Sequence, residues 1–558
     1  MLRLIGTIFR TPTRWQAIGL IGAIVVITVS EVIAMLRLAT WNADFFNLLE
    51  SKSLPGLATQ SWIFVAIVAS LMLLQSASLQ TKLYLQILLR THLTRTVSDA
   101  WMSDGRQVRI RNIGGTHDNE DGRIAEDARV VCEMIVEFLV SLLYAVLQLI
   151  SFIGVLWLYS GPLTIAVGGD VVTIPGHMVW VALLYAGLGA TITIFIGHPL
   201  VRATERRQAA EAAYRARLAN AVTHASSIAL TGAEGGERRR LATAFEQIRA
   251  AWKTQIMSLR NLLFFSAGYG QLTLVLPLLV LAPRYFDGDM SLGTLMQVTI
   301  AFGQVTGALS WLSGNFSSMA QWEASAERVL KLHDAVTSIG DGFGVAGSGR
   351  FLRLQVNGPN LTFQDLSLVT PDGEVLIKHF SGEIRPGELV VVEATPQAAE
   401  ALFRAVAGLS LWGAGRIELP EDTTLFFMGE RPYLPATTLL DVLTEPQTPE
   451  GLGEADVAQA LAAVGLTQLV PLIDTAAAWE QELGIEDQQR LGFARAILHR
   501  PRWILIHGAT SALDAKTEES LMDLLTRRLP DAALVTIAHR PISEWRFERR
   551  ISLSVEPA

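Results

Sequence analysis

Along the first 313 residues, apolar stretches recur at a length that suits a bilayer. Six of them, at 15–37, 62–89, 133–158, 178–197, 262–283 and 291–313, approach or exceed the ~20 residues an α-helix needs to cross the hydrocarbon layer. Thr, Gly, Gln and Ser dilute the fourth and sixth runs. Any one run alone would also suit a buried soluble helix; six together predict a membrane domain. Residues 198–260 are charged yet keep apolar residues at helical spacing, so the fourth and fifth helices should continue well beyond the membrane. LTIAVGGDVVTIPG (163–176) alternates about Gly168-Gly169-Asp170, which predicts a small external hairpin. After the Gly-rich stretch DGFGVAGSG (341–349) the pattern changes to short β-type runs alternating with helical ones, the signature of an α/β layer. The expected domains are therefore a transmembrane domain (1–335), a linker (336–350) and a C-terminal domain (351–558).

Charge orients the membrane part. The N-terminus carries Arg3, Arg10 and Arg14 without an acid, the 91–132 loop carries six arginines, and 198–260 carries eleven Lys+Arg. By contrast, 160–177 has no Lys or Arg and 38–61 has only Lys52. The positive-inside rule then places both termini and the two long loops in the cytoplasm. The chain's net charge of −8 hides a division: residues 351–558 hold 17 Lys+Arg against 29 Asp+Glu, or −12, which leaves +4 for the rest. So acidic a module is a poor nucleic-acid binder, and no nucleic-acid partner is expected. The single cysteine, Cys132, excludes an internal disulfide. The histidines His117, His177, His198 and His224 stand at spacings that suit no metal, and no metal site is expected.

Six membrane strings are more specific. WNADFFNLL (41–49), DNEDGRIAEDARV (118–130), TIPGHMVWVALLYA (173–186), GHPLV (197–201), APRYFDGDMSLGTLMQVTIAFGQVTGALSW (282–311) and ASAERVLKL (324–332) resemble the SbmA/BacA-like branch of ABC transporters. That branch includes proton-driven peptide uptake proteins without a nucleotide domain, fused bacterial transporters that have one, and the peroxisomal fatty-acyl half-transporters. The resemblance covers nearly the whole chain. It implies an all-α, six-helix, exporter-type membrane half fused to an α/β nucleotide-binding domain, located in a bacterial inner membrane. It also implies that GRIAEDARV (122–130) forms a first coupling helix and HASSIALTGAEGGE (224–237) a second. The second departs from the expected pattern, with His224-Ala225-Ser226 where Asn-Ala-Glu is usual. A half needs a second half to enclose a pathway, so a homodimer is expected.

The nucleotide domain departs further. GELVVVEATPQAAEALFRAVAGL (387–409) occupies the phosphate-loop position, where glycines let backbone N–H groups wrap the phosphates, Lys meets the β/γ charge and Ser/Thr holds magnesium. No Gly lies between Gly387 and Gly408, and no Lys between 379 and 515. Glu393, Gln397 and Glu400 stand in or beside the loop instead. In GERPYLP (429–435) the usual Gln is Glu430. In LGIEDQQRLGFARAILHRP (483–501), the signature position, Gly484 replaces Ser and Glu486 replaces Gly. The strand WILI ends in His507-Gly508 where Asp-Glu would hold magnesium and the attacking water. Ser511, Asp514 and His539 survive from the family pattern; for Asp514 and His539 the simpler expectation is a structural role in a turn and at a strand end. Five losses together predict a domain that neither hydrolyses ATP nor needs ATP or Mg²⁺ as a cofactor, and no catalytic residue is expected.

Proton coupling needs membrane carboxylates that meet both sides in turn. Glu31 lies deep in the first apolar run, and Glu133 and Glu137 open the third. A solvated, cavity-facing role suits Glu31 equally well, and Glu133 and Glu137 also suit the opening turn of a helix. The expected activity is uptake of peptides or other large hydrophilic solutes by alternating access. The alternatives are an inactive or regulatory half paired with an active ABC half-transporter, and an ATP-driven ABC transporter.

Overall fold

The computed structural model describes residues 1–112, 119–167, 170–340, 351–410, 412–421, 425–446, 451–538 and 545–553. Two compact units result: residues 1–98 with 119–332, and 99–118 with 333–558.

The first unit holds α1 (Arg14–Glu50), α2 (Leu54–Met102), α3 (Ala128–Tyr159), α4 (His177–Thr223), the short α5 (Ala225–Thr231), α6 (Glu234–Phe286), α7 (Leu292–Leu309) and α8 (Trp311–Gly340); the first five expected spans each lie inside a longer helix, while the sixth (291–313) covers α7 and runs across the break at Ser310 into α8. At 1.5 Å per residue, the 47 residues of α4 and 53 of α6 run about 70 and 80 Å. That is over twice the hydrocarbon thickness, so the charged 198–260 stretch is indeed the outward continuation of two spans. Across this extension Arg207 of α4 lies over the Trp252 ring of α6 at 4.5 Å, pairs with Glu211 at 2.8 Å and donates to Gln255 at 3.2 Å. Strands β1 (Leu163–Val167) and β2 (Asp170–Ile174) form the expected antiparallel hairpin; its Gly168-Gly169 tip lies outside the described residues.

A buried apolar cluster forms where α3, α4, α6 and α7 meet, around Phe152, Leu156, Met178, Leu281, Val298 and Phe302. Helix α7 approaches α1 so closely that a Cβ on Gly293 would sit 2.1 Å from the Ala43 carbonyl oxygen. The Gly293 N–H donates to Asn47 Oδ1 at 3.0 Å, which locks WNADFFNLL to MSLGTL and explains the glycine.

One expectation fails. GRIAEDARV is not a separate coupling helix: residues 123–127 form a π-helical turn leading directly into α3. Apolar spacing continues through Val130, Val131 and Val136 without a breaker, so nothing in the sequence stops the helix. The segment that joins the C-terminal unit is 99–118 instead, inside the stretch expected to belong to the membrane domain.

The second unit contains two sheets. β3 (Leu352–Val356), β4 (Leu361–Val369), β5 (Val375–Ile384) and β7 (Gly413–Pro420) form a mixed sheet in the order β3-β7-β4-β5. β6 (Leu389–Ala394), β8 (Leu425–Met428), β9 (Trp503–His507), β10 (Ala533–Ala538) and β11 (Arg549–Leu553) form a parallel sheet ordered β11-β6-β10-β9-β8. Its central strands are buried on both faces, which explains why LVVV, WILI and ALVTI are continuous apolar runs. Three helices matter for the site: α9 (Pro396–Val406), α10 (Ile485–His499) and α11 (Ala515–Arg528).

Candidate functional site

The parallel sheet brings the nucleotide-like residues to one edge. Glu393 pairs in register with Ala538, and His507 with Ile537, so β6, β9 and β10 end side by side. Ligands in open α/β sheets bind at this carboxyl edge.

Counting GxxxxGK[ST] from Glu393 places Ala398 at the second Gly, Ala399 at the Lys and Glu400 at the Ser/Thr. The chain there is not a cradle but a capped helix. Thr395 is the N-cap of α9; its hydroxyl accepts the Ala398 N–H at 3.4 Å and its carbonyl accepts the Ala399 N–H at 2.8 Å. Pro396, at the first helical position, has no N–H to offer. Ala398 and Ala399 are fully buried, while Gln397 and Glu400 are exposed.

The metal edge is closed in a similar way. His507 Nδ1 donates to the Ile537 carbonyl at 3.1 Å, and its ring lies 5.5 Å from the Phe403 ring. Gly508 has φ +69°, and an added Cβ would lie 3.2 Å from Glu430 Cβ. A glutamate at 508 would therefore be strained in its backbone and crowded by Glu430. Gln489 of α10, which the motif reading overlooked, is 1% exposed and staples this edge. Its Nε2 donates to the Glu430 carbonyl and to Ser511 Oγ, each at 3.0 Å, and its Oε1 accepts the Ala512 N–H at 3.0 Å. Its signal in the sequence is an amide on the apolar face of an otherwise amphipathic run. Asp514 caps α11, accepting from Thr517 N and Oγ1 at 2.9 Å each; these bonds hold its carboxyl below the usual range. His539 lies outside the described residues.

The structure corrects one part of the charge argument. Glu393, Glu400 and Glu486 are not free carboxylates. Glu393 pairs with Arg550 at 3.2 Å, Glu400 with Arg404 at 3.0 Å, and Glu486 with Arg490 one turn along α10. Repulsion of an anion is thus partly neutralised, and the closed backbone carries more of the argument. Gly484 is the N-cap of α10 and has no side chain to offer. Mg-ATP is the group this fold implies, and the donor set does not fit it. The N–H groups of Ala398 and Ala399 are engaged, the Lys position is buried, and the metal positions hold an engaged imidazole and a glycine.

The opposite end of α9 is held by arginines. Arg109, in the 99–118 segment, donates from Nε to the Gly408 carbonyl at 2.8 Å, and Arg353 donates from Nε to the Val406 carbonyl at 2.9 Å. Cations at a helix C-terminus are favourably placed.

In the membrane unit two of the three candidate carboxylates, Glu31 and Glu137, meet a residue that the sequence reading missed. Lys82 of α2 pairs with Glu137 of α3 at 3.0 Å. Glu31 of α1 faces the same Lys82 and Ser78. Gln86, one turn from Lys82, donates to the Glu133 carbonyl at 3.1 Å, and Glu133 accepts from Arg129 at 2.6 Å. Lys82 is the one charged residue in the 62–89 run, which was its signal. Among the described residues, no three His, Cys, Asp or Glu group as a metal site.

Residues 4–286 match the family described as ABC transporter transmembrane region 2. The chain belongs to that family. Similar members include the inner membrane ABC transporter ATP-binding protein YddA of Escherichia coli (strain K12), 26% identical over 90% of this chain and 88% of that protein. ABC transporter D family member 2, chloroplastic, of Arabidopsis thaliana is 25% identical over 89% of this chain and 78% of its own length. A bacterial Atm1-family ABC exporter solved with ATP bound superposes with a TM-score of 0.70 over 95% of this chain and 92% of that one, at 18% identity. This ABC transporter chain thus has the exporter-type fold: six apolar helices followed by an α/β domain. It is a multi-pass membrane protein of a transporter family.

Proposed function

We propose that the chain is an inner-membrane transporter of the SbmA/BacA-like kind. Two copies with cytoplasmic termini form the pathway, and peptides or other large hydrophilic solutes move inward by alternating access. A proton gradient drives the cycle through Glu31, Glu133 and Glu137, and the C-terminal domain serves as a dimerisation base without hydrolysing ATP. The observation that carries this reading is the closed phosphate loop. Thr395 satisfies the N–H groups of Ala398 and Ala399, so the sheet edge has no cradle for a triphosphate. The meeting of Glu31 and Glu137 with Lys82 supports the alternative energy source, because ionisable groups within membrane helices are costly unless paired and functional.

The test is uptake of a defined pool of synthetic peptides by proteoliposomes, read by mass spectrometry. Uptake should follow an imposed pH gradient, vanish with a protonophore and ignore internal or external Mg-ATP. Uptake that required ATP and survived the protonophore would overturn the reading.

A further inference from the structure

Helix α3 carries more polar groups than its two glutamates. Glu133, Glu137, Ser141, Tyr144 and Gln148 recur every three or four residues and share one face. From Glu133 to Gln148 the stripe rises about 22 Å, most of a hydrocarbon layer of ~30 Å. Each rung meets a polar group on another helix. The Glu133 backbone carbonyl accepts from Gln86 while its carboxylate pairs with Arg129 of the same helix, Glu137 meets Lys82, Ser141 Oγ accepts from Trp311 Nε1 at 3.0 Å, Tyr144 lies within electrostatic reach of Glu31, and the Gln148 amide bonds Gln304. The two carboxylates stand at one end of the stripe, and hydroxyls and an amide follow at Ser141, Tyr144 and Gln148.

We propose that Lys82 is the positioning residue of this stripe: a counter-ion whose bond to Glu137, a half-exposed side chain, is made when that carboxylate is charged and released when it takes a proton. This rests on the proton-driven reading above. The charged and titratable groups around the pair are Glu31 from α1, Lys82 and Arg90 from α2, and Arg129, Glu133 and Tyr144 from α3; α7, which packs on α3, contributes none. Lys82 is shared. Its side chain is 19% exposed and faces two carboxylates, Glu31 and Glu137, from two different helices. One ammonium cannot fully compensate both. Protonating Glu137 therefore frees Lys82 for Glu31 and loosens the α2–α3 contact, a change of helix pairing that a proton can drive. In proton bookkeeping, one proton binds one carboxylate oxygen, one ion pair breaks, and the same proton leaves when the pair re-forms.

The experiment uses the full-length protein in liposomes. An infrared pH titration follows the protonated-carboxyl band, and E137Q identifies the Glu137 component by its loss. Removing the cation in K82M withdraws the partner of the charged carboxylate, so that component's response to pH should change, while K82R should leave it in place. Peptide uptake at varied external pH should move with it: K82M shifts the midpoint, and K82M/E137Q behaves like E137Q alone, since the two residues act as one pair. Gel filtration in detergent checks that each variant folds. An unmoved Glu137 band in K82M overturns the inference. A moved band with an unchanged uptake midpoint also overturns it while leaving proton-driven uptake standing. Wild-type uptake that ignores the pH gradient sinks both together.

Discussion

Ala399 stands where a phosphate-binding lysine would, and it is fully buried beneath the first turn of α9. Restoring the motif residue should therefore damage the domain rather than revive it. Ala399→Lys places an ammonium in a packed apolar site and should cost on the order of 3 kcal/mol, seen as a lower melting temperature with no gain in ATP binding by calorimetric titration. Tight ATP binding by that variant would show that the loop can reopen. Thr395→Ala tests the same point from the other side. Losing the N-cap should cost about 1 kcal/mol, again without creating a nucleotide site, because only the Ala398 N–H is freed and the Ala399 N–H stays bonded to the residue-395 carbonyl.

At the scale of elements, the π-helical turn before α3 is pinned by one ion pair. Arg328 of α8 donates from Nε to Asp127 Oδ2 at 2.7 Å and from Nη2 to Oδ1 at 2.5 Å. Burial pushes the Asp127 carboxyl up, but the hydrogen bonds from Arg328 and Ser325 and the Arg328 charge outweigh it and hold the carboxyl below the usual range. A depressed folded-state value contributes stability above the ordinary aspartate range and loses it as pH falls through the folded value. Arg328→Ala should thus cost about 2 kcal/mol, constant from neutral pH down to about 5, with the gap from wild type closing only below about pH 4. A gap that closed near neutrality would implicate another group. These particulars also show what the sequence could tell. The spans were legible because membrane length is a one-dimensional property of the chain. The hairpin was legible because its alternation is local. The docking of 99–118 on α9 was not, since Arg109 and Gly408 are 299 residues apart and a lone arginine in a loop has no pattern. Glu137 was read as a candidate, but the cation it pairs with lies on another helix, and only packing reveals which charge faces which. The pairing of Glu393 with Arg550 escaped notice for the same reason.

For the whole molecule, the question is whether two units that share a transporter ancestry still share an energy source. Ligand binding to the folded state raises its stability by mass action: about 2.7 kcal/mol at a concentration 100 times the dissociation constant. A sandwiched Mg-ATP in a dimer would engage two such sites at once. Thermal melting of the full-length protein in millimolar Mg-ATP therefore discriminates sharply between a motor and a base. With Ala398 and Ala399 already bonded to Thr395, His507 bonded to Ile537 and Glu430 crowding Gly508, no shift in melting temperature is expected. The same preparation should respond to pH through the membrane unit. The two results belong together under the proposed proton-driven reading, in which the C-terminal domain is a base and the work comes from an ion gradient. A rise of several degrees with Mg-ATP, absent with Mg²⁺ alone, would mean that the closed loop opens on binding, and the domain would then return to the role of motor.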